Sequence, residues 1–186
     1  MATLEPGQTI GYTVTYLEMQ AQPTSPPPSR PSNLNVALLA ADDPPVDYFL
    51  YLYEQVGGPH EWTDWFDRSR EEAQAFVSAS GVSLYSLMLD GWPAGFFILD
   101  ASEPAVCDLA NFGLVPQAVG RGLGHWLLRT AVDTGWGIQG VEKMTVNTNT
   151  LDHPRALGLY QRVGFHPVRR EEHTRTLTRG REVPGT

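Results

Sequence analysis

LVPQAVGRGLGHWLL, residues 114–128, places three glycines at alternate positions, Gly120, Gly122 and Gly124, directly ahead of an apolar helical pattern. Without Cβ atoms these positions let a ligand approach the backbone, and they permit positive φ, so successive N–H groups can turn into one concavity. A helix opening there adds the positive end of its dipole, which favours a pyrophosphate, and Arg121 and His125 bring neutralising charge. The loop alone supports two accounts equally: a phosphate cradle, or a tight connection with no ligand. Its spacing is G-x-G-x-G, not the dinucleotide G-x-G-x-x-G, and no Gly-Lys-Ser/Thr follows. Neither a dinucleotide site nor a nucleoside-triphosphate loop is therefore indicated.

Working outward, AVCDLANFGLV (105–115) reads as the strand leading into the turn, and the helix behind it runs to about Thr134. A strand over 141–147, a helix over 154–163 and a final strand over 166–177 complete the second half. Upstream, GYTVTYLEM (11–19) and NLNVALLAA (33–41) have strand character. QAQPTSPPPSRPS (20–32) between them holds too many prolines for either element and reads as a long surface loop. Pro44-Pro45 introduces an aromatic-rich helix to about Val56, stopped by Gly57-Gly58-Pro59. Ser69 caps a second helix to about Ala79, with Glu71 and Glu72 at its positive end. Strands over Val82–Leu89 and Ala94–Leu99 flank DGWP (90–93), where Asp-Gly predicts a hairpin. This order predicts an α/β fold: one domain over 1–186, with a mixed, mostly antiparallel sheet and helices on both faces.

The bulk numbers agree with one globular domain: 186 residues, 41% hydrophobic and 18% charged. A net charge of −8 argues against nucleic acid as a partner. Cys107 is the single cysteine, so no intramolecular disulfide or Cys-rich zinc site can form, and the five histidines show no ligand spacing. No metal is expected. No apolar run approaches the roughly 18 residues of a membrane span, so no membrane partner is expected and the cytoplasm is the default compartment.

A second stretch, ALGLYQRVGF (156–165), follows about 35 residues later. Together the two stretches resemble the paired signatures of the GNAT N-acetyltransferases, and the resemblance covers roughly residues 81 to 170. It implies acetyl-CoA as co-substrate, with its pyrophosphate on the backbone of Val119, Gly120, Arg121, Gly122, Leu123, Gly124 and His125. It further implies that pantetheine runs beside Leu114 and Val115 and contacts Asn147 and His153, while the strand at 141–147 splays away to leave a gap for the thioester. The reaction implied is direct acetyl transfer to a primary amine of a small molecule, peptide or protein. Two positions depart from the family pattern: Val119 stands where Gln or Arg is usual, and His153 where Asn is usual. Asn149 is a substitute for part of that contact. The alternative is a non-catalytic acyl-CoA-binding module of the same fold, and a homodimer through the final strand is left open.

Amine acetylation needs a base for the amine and a proton donor for the departing thiolate. Tyr160 matches the family tyrosine near the CoA sulfur, and a phenol is protonated at neutral pH. Asp108 is the candidate base, since a carboxylate in an otherwise apolar strand requires a solvated face or a polar cleft. Strict alternation puts Asp108 on one side with Ala110 and Phe112, making Phe112 an acceptor-side residue. Glu103 is a weaker alternative base. In the loop GGPHEWTDW (57–65), His60, Glu61 and Trp62 are expected to face the acceptor, and Trp65 to anchor the loop on the core. Asp152 reads as helix-capping chemistry and Cys107 as a small core residue.

Overall fold

Six consecutive buried residues, Ala94 to Leu99, mark the centre of the fold, because a strand buried at every position must be covered on both faces. The computed structural model describes residues 2–183. Its strands are β1 (Ala2–Leu4), β2 (Thr9–Met19), β3 (Val36–Ala41), β4 (Val82–Leu89), β5 (Trp92–Asp100), β6 (Val106–Leu114), β7 (Lys143–Asn149), β8 (His166–Thr176) and β9 (Arg181–Val183). The helices are α1 (Val46–Gly57), α2 (Arg70–Val77), α3 (Leu123–Trp136) and α4 (Ala156–Val163). Among the described residues no helix is long and apolar enough to cross a membrane.

Seven strands form one sheet in the order β3-β4-β5-β6-β7-β2-β8, and β1 pairs with β9 separately. Every neighbouring pair is antiparallel except β6 and β7, which are parallel and touch only at Val106↔Lys143, Cys107↔Met144 and Asp108↔Thr145. Beyond those three pairs each strand keeps its other neighbour and the two diverge. The sheet is thus mixed, mostly antiparallel and layered with helices, as expected.

A bulge in β6 decides which side chains face which helices. Leu109 pairs with Leu99 but Asn111 pairs with Ile98, so Ala110 is the extra residue. Leu99 and Ile98 point to opposite faces, and so therefore do Leu109 and Asn111. Cys107 lies under α3, where a Cβ built on Gly135 would stand 3.2 Å from its sulfur. Gly113 lies under α1, where its Cβ would stand 2.3 Å from Val56. Asp108 consequently shares a face with Asn111 and Gly113, while Phe112 is on the other side. The expectation that Asp108 and Phe112 lie together is overturned, because strict alternation does not survive the bulge.

Other boundaries shift for local reasons. The hairpin turn is Asp90-Gly91 alone, at φ 50° and 88°, with Trp92 and Pro93 already inside β5. Pro93 is accommodated beside a second bulge, at Ala94. β3 starts at Val36, not Asn33, β7 lies two residues later than expected, and α4 begins at Ala156 after a turn. The pairing of β1 with β9 joins segments 170 and more residues apart, which local patterning does not reveal.

Candidate active site

The N-terminus of α3 is built without a cap. Gly122 occupies the N-cap at φ 78°, no side chain accepts its first N–H groups, and no acidic residue sits in the first turn. By contrast, Ser69 and Glu72 close a reciprocal capping box on α2. The N–H groups of Leu123, Gly124 and His125 have no partner within their own helix, which leaves a positive, donor-rich end. Gly120 (φ 83°) and Gly122 require glycine for conformation, and the space where a Cβ would stand is open at both. Gly124 has no positive φ; a Cβ there would meet Leu114 and Leu159 at an ordinary 3.9 Å. Arg121 and His125 are exposed around this end, and Val119, also exposed, brings no polar side chain to it.

The divergence of β6 and β7 begins at Asp108 and Thr145, so the carboxylate stands at the vertex of the gap. Thr145 Oγ1 donates to Asp108 Oδ1 at 2.5 Å, and Asp100 lies directly across on β5. Burial pushes the Asp108 carboxyl above its ordinary range and Asp100 adds to this, with the Thr145 bond acting the other way. Val115 N–H is bonded to Ala94 O, so antiparallel alternation turns the Gly113 amide toward β5 and the Phe112 and Leu114 amides toward the gap. Two main-chain donors thus line the open part of the cleft.

Tyr160 approaches from α4. It is 5% exposed and is held edge-on between Phe112 (6.1 Å) and Phe165 (6.0 Å). Among the described residues its hydroxyl takes part in no hydrogen bond. Burial raises the phenol above its ordinary pKa, with Asp152 and Asp108 adding to the shift, so the group stays protonated. Phe112 therefore supports Tyr160 and does not stand beside Asp108.

The loop after α1 folds onto the same cleft. Trp62 lies flat against Gly57, where any Cβ would fall 2.3 Å from the ring, and its edge reaches toward Gly113. Its indole N–H donates to Asp152 Oδ1 at 2.9 Å. His60 Nδ1 is 3.3 Å from Leu151 O, and burial lowers the imidazole pKa, against an opposing effect of Asp152. Glu61 does not face an acceptor: it is 3% exposed, and its carboxylate accepts from Thr178 N, Thr178 Oγ1 and Arg179 N. Trp65 stacks on Phe76 at 4.6 Å and anchors the loop as expected.

Asp152 is also reassigned. Its second oxygen accepts from Thr148 Oγ1 (2.7 Å) and Asn149 N (3.0 Å), so it closes the end of β7 and ties that end to Trp62. It does not cap α4, which has no side-chain cap. His153 Nδ1 accepts from Arg155 N, and Asn149 Oδ1 accepts from Leu151 N, so both are committed to the turn before α4. Asn147 is exposed on the face that carries Thr145. Glu103 is exposed in the turn between β5 and β6. Asn111, half-buried on the Asp108 face, was missed in the sequence because only the bulge brings it there.

A family model matches the chain, and solved structures share its fold. The family model described as "Acetyltransferase (GNAT) family" matches residues 42–165. Similar solved structures include a GCN5-related N-acetyltransferase from Kribbella flavida, at 17% identity and a TM-score of 0.57, covering 88% of this chain and 59% of that one. An aminoglycoside acetyltransferase from an uncultured soil metagenomic sample, in complex with sisomicin, is 14% identical with a TM-score of 0.55, covering 69% and 86%. An aminoglycoside N-acetyltransferase in complex with CoA is 17% identical with a TM-score of 0.52, covering 74% and 92%. The chain spans 59% to 66% of the length of three of the larger structures it matches. No curated protein matches it significantly in sequence.

Proposed function

The chain belongs to the GNAT acetyltransferase family, and from that premise we propose that it transfers an acetyl group directly from acetyl-CoA to a primary amine of a small molecule, peptide or protein. The observation that carries this reading is the uncapped, acid-free end of α3 placed at the mouth of the β6–β7 gap. An anion fits there because the donors are unpaired and the space over Gly120 and Gly122 is open. Val119 to His125 would hold the pyrophosphate, and Leu114 and Val115 would flank the pantetheine arm.

In the transfer the amine nitrogen bonds to the carbonyl carbon, the carbon–sulfur bond breaks, and the amine proton ends on the thiol of CoA. Asp108 accepts that proton, directly or through water; its raised pKa makes it a stronger base than an ordinary carboxylate. The N–H of Leu114 or Phe112 meets the oxygen as negative charge develops on it. Tyr160 gives its proton to the departing sulfur from the α4 side, and exchange with solvent takes the proton from Asp108 and restores it to the phenolate, so the net change moves one proton from amine to thiol. With Trp62 beside Gly113, the acceptor enters on the α1 face.

A second reading, a coenzyme-binding module without turnover, draws on Val119, which offers no polar grip. Isothermal titration with acetyl-CoA tests both, and absence of binding at millimolar ligand defeats them together. Thiol release across an amine panel then separates them, since a module binds acetyl-CoA and releases none.

A further inference from the structure

The α1 face of the sheet is covered unevenly. α1 and α2 pack on β4, β5 and β6, which leaves the same face of β7, β2 and β8 without a packed helix. Strand register carries the β6–β7 gap onto this uncovered part. Asn147 and Asn149 follow Thr145 on one face of β7 and pair with Tyr16 and Val14 on β2, which pair in turn with Arg169 and Glu171 on β8. Directly opposed residues share a face, so Tyr16, Arg169 and Glu171 lie on the side of Asp108.

On that floor the chain holds one of its own cations. The Arg169 guanidinium sits over the Tyr16 ring, 4.0 Å from its centroid, and its Nη1 bonds Glu171 Oε1. Tyr16 Oη donates to Glu171 Oε2 at 3.0 Å, and His173 Nε2 stands 3.4 Å from the same oxygen. The Tyr16 bond first, then Arg169 and His173, hold the Glu171 carboxyl below its usual range, so it stays ionised.

An aromatic face with an ionised carboxylate at its edge is a receptor for a guanidinium or an ammonium. Arg169 fills it from the surface: its side chain is 57% exposed, and a pair so exposed is weak and readily exchanged. All three residues lie outside the segment at 42–165 that matches the family model. We infer that the acceptor carries a second cation: its reacting amine enters the β6–β7 gap, while an ammonium or guanidinium about 10 Å away, two strand spacings beyond β7, replaces Arg169 on Tyr16 and pairs with Glu171. This rests on the transfer reading of the gap. Tyr16 and Glu171 are then specificity-determining residues, and Arg169 is a built-in competitor that swings to solvent as the acceptor binds. The net charge of −8 draws such a dication to the chain.

Thiol release from acetyl-CoA is compared for octamethylenediamine and octylamine, which share a chain length and differ in the second ammonium. Wild type should favour the diamine in kcat/KM by about tenfold, as one charge-assisted contact requires, beyond the roughly twofold that two equivalent amines supply. Glu171→Gln should erase most of that preference, with melting temperature and acetyl-CoA affinity unchanged. Arg169→Gln should raise kcat/KM for the diamine several-fold by removing the competitor. A wild-type preference no greater than the statistical one overturns the second cation and leaves the transfer reading standing. A preference that survives Glu171→Gln overturns the residue assignment, and a lower diamine kcat/KM in Arg169→Gln overturns the competitor role. Release from neither compound, with release from another amine, overturns this inference alone. Release from no amine overturns the transfer reading and this inference with it.

Discussion

Replacing Tyr160 by Phe separates catalysis from stability in one substitution. The ring keeps its edge-on contacts with Phe112 and Phe165, which come from its carbons. The hydroxyl is lost, and among the described residues it has no hydrogen-bonding partner to leave behind. Arg181 Nη1 is the one sealed side-chain polar atom without a partner among the described residues, so the Tyr160 hydroxyl keeps contact with the open cleft and bears only a fraction of the ~1–3 kcal/mol that a sealed, unpaired hydroxyl costs. Tyr160→Phe should therefore be neutral or more stable by at most about 1 kcal/mol, a rise in melting temperature of no more than about 4 °C for a chain this size. The effect on turnover runs the other way. The raised pKa keeps the proton on the phenol, so its role is to donate to the developing thiolate, and loss of one such donor lowers kcat about 100-fold. Acetyl-CoA affinity should stay within about twofold, because the contact strengthens only as the carbon–sulfur bond breaks. Thermal melts, calorimetry and single-turnover thiol release read the three quantities. Unchanged kcat would remove Tyr160 from the mechanism; a melt several degrees lower would show that its hydroxyl holds the fold.

Asp108→Asn should lower kcat/KM by about 10²–10⁴ and abolish the acidic limb of the pH profile; an intact limb assigns the base elsewhere. Because the folded carboxyl is raised, its ionised form costs stability as pH climbs through that pKa and costs nothing well below the unfolded value of 3.8. The Asn variant should thus melt higher than wild type at pH 7, with the gap closing toward pH 4. His60 has the opposite sign: its folded pKa is depressed, so the stability it confers is complete above 6.5 and is lost as pH falls through the folded value. Urea midpoints at pH 7.5 and 5.5 should therefore drop more for wild type than for His60→Gln, and equal drops would refute the burial argument. Cys107 is fully buried and its thiol is pushed up to about 12 by desolvation, then by Asp108 and Asp100. A disulfide reagent at pH 8 should label it in denaturant and leave it untouched in the folded chain, where rapid labelling would place the thiol outside the core.

The parts of the fold legible in the sequence are those set by local chemistry. Positive φ at Gly120 and Gly122, the Ser69–Glu72 capping box and the Asp90-Gly91 turn each follow from residues within a few positions of one another. The side chains around the acceptor were less legible, since their placement depends on register and on the far end of the chain. The bulge at Ala110 has no marker in AVCDLANFGLV, yet it moves Phe112 away from Asp108 and brings Asn111 in. Glu61 looks like a loop acid free to meet a substrate until Thr178 and Arg179, more than a hundred residues later, fold back onto it. Asp152 sits where a cap is expected, but Trp62, ninety residues upstream, competes for its carboxylate and wins.

The bulge has a mechanistic consequence that strict alternation would hide. It leaves the proposed acid and the proposed base on opposite faces of the sheet, Tyr160 with α3 and α4, Asp108 with α1. Such an arrangement serves a transfer that takes place within the sheet, where the β6–β7 gap is the only opening between the faces that the strand pairing leaves among the described residues. In the proposed transfer, coenzyme entering from the α3 end presents its sulfur to Tyr160, and an amine arriving from the α1 side meets Asp108 first. On that proposal, selectivity for the amine resides in what builds the α1 side: Asn111, Trp62 over its glycine, and the loop that carries it. Arg175 bonds Asp64 and the Glu61 carbonyl, and Arg179 pairs with Glu54, so the C-terminal strand region clamps this loop from outside. The coenzyme end is fixed by α3 and its neighbours and the acceptor end by contacts that span the whole chain, so the acceptor can change through residues that leave the glycine turn untouched.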